Sequence, residues 1–317
     1  MSAVHPPLHE VRRVVAAALA EDLTPMGDLT SALLPDGVVA TASYVARASG
    51  RLAGRLAAGE VLAQVDGGLA VSWRLDDGDE LMAGAVIGTV TGRLSSILTA
   101  ERTSLDLLTH LSGVATLARA YVEAVEGSAG SGGRCRVLDT RKTLPGLRAL
   151  QKAAVRAGGA FNHRGSLSEM VLLKDNHLVG LTIAEAVRLA RHRWPARTVE
   201  VECDRMDQVR TAVAAGADMV LLDNMGPAAV AEAVEWVRSH SDRCLVEVSG
   251  GVDLFTVADL AAAGPDFVSV GALTHSAPAL DIGLDIGAGV GPGGGTDLDA
   301  AEGDDIRVDN GWWSALD

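Results

Sequence analysis

Between about residues 116 and 280, short apolar runs alternate with helical patterns, and one such unit occurs twice. Ala-Ala-Gly-Ala-Asp-Met-Val-Leu-Leu-Asp at 214–223 aligns with Ala-Ala-Gly-Pro-Asp-Phe-Val-Ser-Val-Gly at 262–271. In each copy a helical pattern (206–215 and 254–263) ends at a glycine suited to the left-handed C-cap conformation. A turn with Asp follows, and then an apolar strand. Further runs at Val137–Leu138, Val171–Leu173, Val199–Glu202 and Leu245–Val248 continue the alternation. Strands that are apolar throughout and separated by helices call for a parallel sheet covered on both faces.

A doubly wound sheet and a barrel both meet that demand. No G-x-G-x-x-G follows the first strand, which weighs against the open sheet. Every strand also finishes on a polar, charged or glycine residue: Asp139-Thr140-Arg141-Lys142, Lys174, Glu202, Asp223, Ser249-Gly250-Gly251 and Gly271. In a barrel those ends converge on one mouth, where barrel enzymes carry their chemistry. The expected class is α/β: an N-terminal α+β sandwich-like domain over residues 1–115, then an incomplete or irregular TIM-like barrel over 116–280. Residues near 275–286 are expected to complete the N-terminal domain. The acidic, glycine-rich stretch 287–317 reads as a flexible tail.

Charge narrows the partners. The formal net charge is −14, which excludes nucleic acid and acidic membrane surfaces as obvious partners. Yet the three lysines (Lys142, Lys152 and Lys174) all fall in one segment, together with Arg134, Arg136, Arg141, Arg148, Arg156 and Arg164. Only Asp139 and Glu169 oppose them there, so this segment is expected to bind a small polyanion. A solvated basic helix face is the competing explanation for Arg148, Lys152 and Arg156. It suits Arg141, Lys142, Arg164 and Lys174 poorly, because they border apolar runs. Residues 11–20 read as an amphipathic helix rather than a signal peptide, with Arg12 and Arg13 on its wet side. No window approaches ~18 uninterrupted apolar residues. Cys135, Cys203 and Cys244 lack metal spacing and read as buried thiols, so a cytoplasmic location is expected.

The mouth would then hold Arg141, Lys142, Arg164 and Lys174 as cations, with Glu202 and Asp223 as carboxylates on neighbouring strands. Two such carboxylates suit Mg²⁺, which takes oxygen ligands and keeps waters and substrate phosphates in its shell. Arginines grip planar carboxylates through paired hydrogen bonds. Ser249-Gly250-Gly251 and Gly271-Ala272 offer backbone N–H groups for a phosphate. Glu200 and Glu247 lie two residues before Glu202 and Ser249, on the same strand faces, and are expected as internal ion pairs below the site. His110 and His275 read as structural or exposed. Asp77-Gly78-Asp79-Glu80-Leu81 resembles the turn of a biotin or lipoyl carrier, but such a module needs a lysine and none precedes Lys142.

In these segments the chain resembles the quinolinate phosphoribosyltransferase family. The matching runs are Glu21-Asp22-Leu23, Gly27-Asp28-Leu29-Thr30, Glu101-Arg102-Thr103, Leu111-Ser112-Gly113-Val114-Ala115-Thr116 and Asp139-Thr140-Arg141-Lys142-Thr143-Leu144-Pro145-Gly146. Asn162-His163-Arg164, Lys174-Asp175-Asn176-His177, Leu222-Asp223-Asn224 and Ser249-Gly250-Gly251 follow in the family's order. Asp106, Gly165-Ser166-Leu167 and Glu169 depart from its usual residues. The resemblance implies transfer of phosphoribose from phosphoribosyl pyrophosphate to quinolinate, with decarboxylation, in NAD biosynthesis. It implies Lys142, Lys174, Glu202 and Asp223 as catalytic residues, with Mg²⁺ at Glu202 and Asp223. Substrate binding would add Arg102, Thr140, Arg141, His163, Arg164, Ser249, Gly250, Gly251, Val270, Gly271 and Ala272. It also implies a homodimer in which Arg102 comes from the second subunit; Leu98, Leu105, Leu108 and Ala115 form a helical stripe with Arg102 at its margin. Two alternatives stay open: a related phosphoribosyltransferase acting on another carboxylated base without decarboxylation, and a Schiff-base barrel lyase using Lys174. No role for His177 follows from its residue type.

Overall fold

The computed structural model describes residues 4–128 and 135–287. Near the N-terminus, apolar residues at helical spacing make α1 (Leu8–Leu23), which buries Val11, Val14, Val15 and Leu19 and leaves Arg12 and Arg13 exposed. Next come β1 (Val39–Ala46), β2 (Gly50–Arg51), α2 (Arg55–Val65), β3 (Ala70–Trp73), β4 (Glu80–Leu81) and β5 (Val86–Arg93). Helix α3 (Leu94–Glu126) follows; its 33 residues span about 50 Å at helical rise.

The repeating part comprises β6 (Arg136–Leu138), α4 (Arg148–Ala157), β7 (Val171–Leu173), α5 (Ile183–Arg193), β8 (Val199–Cys203) and α6 (Met206–Ala214). It continues through β9 (Met219–Asp223), α7 (Pro227–His240), β10 (Leu245–Ser249), α8 (Val257–Ala262), β11 (Phe267–Ser269) and α9 (Ala272–His275). The last strand, β12 (Ile282–Ile286), returns to the beginning of the chain.

Two main sheets result. One is four-stranded and antiparallel, in the order β12-β1-β5-β3, so the chain's last described strand pairs with its first. Helix α3 lets β12 in at a glycine: a Cβ on Gly113 would lie 1.9 Å from the Pro278 carbonyl oxygen. Beside it, the Leu280 N–H donates to the Thr109 carbonyl at 3.0 Å. The Leu-Ser-Gly-Val-Ala-Thr run is therefore partly a docking groove for the returning chain. The expected division near residue 115 falls inside this helix.

The second sheet is six-stranded and parallel throughout, in the order β6-β11-β10-β9-β8-β7. Past β6, among the described residues, the ladder is extended only by a single parallel bridge between Leu138 and Phe161. This is the irregular barrel that the alternation of runs predicts. Val199, Val201, Val220, Leu222, Val246, Val248 and Val268 are buried within it. Gly216 and Gly264 close their repeats with φ of +86° and +91°, the left-handed caps expected of them. The second repeat's helix begins later than its pattern suggests, at Val257, because the Asp253 carboxylate accepts the N–H groups of Phe255 and Thr256 and holds a turn there. Among the described residues no helix is long and apolar enough to cross a membrane. Apart from Gly287, the acidic tail lies outside the described residues, as does Arg134.

Candidate active site

Period-two geometry on parallel strands decides which side chains meet at the mouth. Leu172 and Lys174, Leu221 and Asp223, and Glu247 and Ser249 each share a strand face, and all six line one cavity of about 300 Å³. Glu202, Ser269, Gly250 and the run Thr140, Arg141, Lys142 after β6 line it too, as do His163 and Arg164. The mouth thus gathers all four cations and both carboxylates singled out from sequence. A larger recess of about 910 Å³ beside α1 has Arg93 as its one cationic lining residue and gathers no comparable set.

Each loop is set by its own bonds. The Thr140 hydroxyl accepts the Lys142 N–H at 3.0 Å, and the Thr274 hydroxyl donates to the Lys142 carbonyl at 2.9 Å. Gln151, fully buried, accepts the Leu144 N–H and donates to the Thr274 carbonyl, so it ties this loop to α9. The same amide meets His110 at 2.9 Å, which gives that histidine a structural place; His275 is exposed. His177 also has a role that its residue type did not disclose: its Nδ1 accepts the Lys174 N–H at 3.0 Å and shapes the turn after β7.

The charged groups are paired unevenly. Lys174 donates to Glu202 across the cavity, and Asn224 donates to Asp223 at 2.7 Å. Arg164 gives one N–H to the Met170 carbonyl at 3.1 Å. Burial, and then the nearby Arg141 charge, lower its pKa. Arg141 Nε is buried with no hydrogen-bond partner among the described residues. A buried guanidinium nitrogen without a partner costs about 1–3 kcal/mol, so this arrangement calls for an acceptor to arrive.

The late loops are built for close approach. Gly250 has φ +88°, and a Cβ there would come within 2.4 Å of the Asn224 side-chain oxygen. Asn224 itself is left-handed at φ 57°, with its N–H bonded to the Ser249 carbonyl. Gly251, Val270, Gly271 and Ala272 do not line the cavity. Val270 is buried with its N–H on the Leu138 carbonyl, and Gly271 abuts the Lys142 side chain. Arg102 is absent from the lining as well; it stands 68% exposed on α3, paired with Asp106 at 3.3 Å.

Beneath the mouth the basic helix α4 turns inward, which overturns its reading as a solvated basic face. Arg148 bonds the Thr143 hydroxyl and the Gly165 carbonyl. Arg156 bonds Asn162. Lys152, only 8% exposed, pairs with the fully buried Asp139 and donates to the His163 carbonyl. These are braces of the 162–165 loop rather than a solvated face. Glu169, one of the departures from the family's residues, accepts the Gly165 N–H at 2.7 Å and closes that altered turn. Glu200 lies under the cavity as expected, whereas Glu247 lines its floor; both stand against His163 Nε2, at 3.2 and 3.3 Å. Burial alone would lower the His163 pKa, but these two carboxylates outweigh it and raise it. Burial, and then the Glu247 charge, push Glu200 up.

Leu172, Leu221 and Ser269 went unnoticed in the sequence. The period of two that relates Glu200 to Glu202 would have found the two leucines, which sit two residues before Lys174 and Asp223.

Comparison with known proteins shows the family. Residues 28–112 match the family description "Quinolinate phosphoribosyl transferase, N-terminal domain", and residues 114–285 match its C-terminal domain. The chain is 42% identical over 279 residues to the nicotinate-nucleotide pyrophosphorylase [carboxylating] of Mycobacterium leprae, covering 87% of this chain and 96% of that one. It is 34% identical to quinolinate phosphoribosyltransferase [decarboxylating] 2b of Nicotiana tabacum, covering 89% of this chain and 85% of its relative. The solved nicotinate-nucleotide pyrophosphorylase of Francisella tularensis superposes with a TM-score of 0.82 at 39% identity, over 89% of this chain and 97% of that one. With both domain descriptions matched in order over most of its length, this chain belongs to the quinolinate phosphoribosyltransferase family.

Proposed function

We propose that the chain joins quinolinate to phosphoribosyl pyrophosphate, giving nicotinate mononucleotide, diphosphate and carbon dioxide. One observation carries the reading: Arg141, Lys142, Arg164 and Lys174 converge with Glu202 and Asp223 on a single cavity, and a buried Arg141 nitrogen still lacks an acceptor. Four cations exceed what one phosphate needs. They suit a substrate with two adjacent carboxylates beside a diphosphate.

The residues divide the work by charge. Arg141 and Arg164 grip the quinolinate carboxylates, desolvating and orienting the ring. Lys142 and Lys174 neutralise the departing diphosphate. As it leaves, positive charge grows on the ribosyl carbon, and the preorganised Glu202 and Asp223 stabilise it without reorganisation. The ring nitrogen attacks that carbon and becomes a pyridinium, an electron sink for loss of the adjacent carboxylate; the electron pair left on the ring carbon then takes a proton from solvent. The second carboxylate stays anchored on its arginine.

The donor set also fits Mg²⁺. Glu202 bonds Lys174 through Oε2 and Asp223 bonds Asn224 through Oδ2, leaving the other oxygen of each for a hard cation. Bound there, Mg²⁺ would act as a Lewis acid toward the diphosphate. In this reading Arg102, exposed and outside its own cavity, completes the clamp of a second subunit in a homodimer.

Schiff-base chemistry at Lys174 is the weaker reading. It calls for an apolar pocket or neighbouring cations around the amine, and Lys174 instead faces the Glu202 carboxylate. Incubation with quinolinate, phosphoribosyl pyrophosphate and Mg²⁺ is expected to yield nicotinate mononucleotide, with little from nicotinate. Preference for nicotinate would overturn the dicarboxylate assignment.

A further inference from the structure

Beneath the arginine clamp lies a buried cluster to which the proposed chemistry assigns no part. Glu200 on β8 and Glu247 on β10 are 0% and 1% exposed, and both point at His163 Nε2. Glu247 is itself fixed, because the Ser269 hydroxyl donates to its Oε1 at 2.6 Å. On the other edge of the ring, His163 Nδ1 accepts the backbone N–H of Arg164 at 2.8 Å. That bond needs the Nδ1 lone pair, so it holds the ring with its single proton on Nε2 against the pull of the two carboxylates, which favour a second proton.

The peptide between His163 and Arg164 is therefore gripped from several sides. Asp139 accepts the His163 N–H at 2.8 Å, Lys152 donates to the His163 carbonyl at 2.9 Å, and the imidazole takes the Arg164 N–H. Of these grips only the imidazole holds the Arg164 N–H itself, and Glu200 and Glu247 set its rotation. Turning the ring would release the Arg164 N–H and swing Nε2 away from both acids.

We propose that Glu200 and Glu247 are positioning residues for the substrate clamp, acting through the His163 ring to fix the peptide that carries Arg164. The acids touch no reacting atom. Their effect reaches quinolinate because Arg164 must meet a planar carboxylate at hydrogen-bonding distance. A misplacement of ~1 Å at such a contact can cost about 100-fold. The phosphoribosyl donor, held by other loops, should be affected far less. This inference rests on the quinolinate reading above.

Steady-state kinetics of four variants test it. Glu200→Leu keeps bulk and removes the acceptor of the Nε2–H; it should raise the quinolinate KM about 10- to 100-fold and leave the phosphoribosyl pyrophosphate KM within about twofold. Glu200→Gln can still accept from Nε2 and should restore most of the loss. In a His163→Ala background, Glu200→Leu should add almost nothing, because its route to Arg164 is already gone. Glu247→Leu, which removes the second carboxylate facing Nε2, repeats the test if Glu200→Leu does not fold. Equal rises in both KM values, additive effects with His163→Ala, or a Gln variant as impaired as the Leu variant would each overturn the inference. Wild-type protein is the control that separates the two claims: without quinolinate turnover the proposed function fails, whereas turnover with an unchanged KM in the Leu variant overturns the positioning role alone.

Discussion

Lys152→Met strikes the brace beneath the site while keeping most of the side chain's apolar stem. Lys152 and Asp139 form a buried ion pair, and loss of one partner in such a pair typically costs about 3–5 kcal/mol. Asp139 keeps two donors after the change, the His163 N–H at 2.8 Å and the Asn162 amide at 2.7 Å. The cost should therefore sit at the lower end, about 3 kcal/mol, or a fall of about 4–5 °C in melting temperature for a chain of this size. Burial already raises the Asp139 pKa and lowers that of Lys152. Without the lysine, folded Asp139 holds its proton more tightly still, so the native state binds more protons than the unfolded chain. Stability then falls as pH rises through the interval above the unfolded value of about 3.9. The penalty should be larger at pH ~8 than at pH ~5 in thermal melts. Adding Asp139→Asn should recover part of the loss, because no orphan charge remains. A melting temperature within about 2 °C of wild type would refute the reasoning. Further destabilisation on adding Asp139→Asn would do so as well.

Other consequences follow from the same geometry. Arg141→Ala and Arg164→Ala should each abolish efficient turnover by weakening quinolinate binding by about 2–5 kcal/mol, and near-normal kcat/KM for quinolinate in either would sink the clamp. Mixing inactive Arg102→Ala with inactive Arg141→Ala protein should restore activity in mixed dimers; failure to do so, with subunit exchange demonstrated, would falsify a shared site. Hydrogen bonds from Ser31 first, and then from Thr99 and Thr30, hold the Asp28 pKa down at about 2. Its folded value lies below the unfolded one, so this stabilisation is present above the unfolded pKa and is lost as pH falls toward the folded value. Asp28→Asn should accordingly melt lower than wild type at pH ~6 and converge with it near pH ~2, and an unchanged gap across that range would contradict the assignment.

The barrel and its mouth were legible because both rest on local rules. Parallel strands buried on both faces leave apolar runs, and side chains two residues apart share a face. Lys174, Glu202 and Asp223 could thus be placed before any contact was known. The inward turn of α4 was not legible. Lys152 reads as a wet residue until Asp139, 13 positions earlier, is seen to meet it in the interior. Gln151 was hidden for the same reason: it bonds the Thr274 carbonyl, 123 positions away, whose place only the tertiary fold supplies. His177 instead bonds a backbone N–H three residues back, in a turn that its residue type alone does not announce. Gly113 showed its value only when the chain near Pro278 returned against α3.

The central claim is that the cationic mouth serves a dicarboxylate whose loss of one carboxylate follows formation of the pyridinium. Carboxyl-labelled quinolinate tests it most directly, with released carbon dioxide, diphosphate and nicotinate mononucleotide quantified together. The account predicts equal amounts of all three, and none without phosphoribosyl pyrophosphate. Mononucleotide that keeps both carboxylates, or carbon dioxide released without the phosphoribosyl donor, would contradict it.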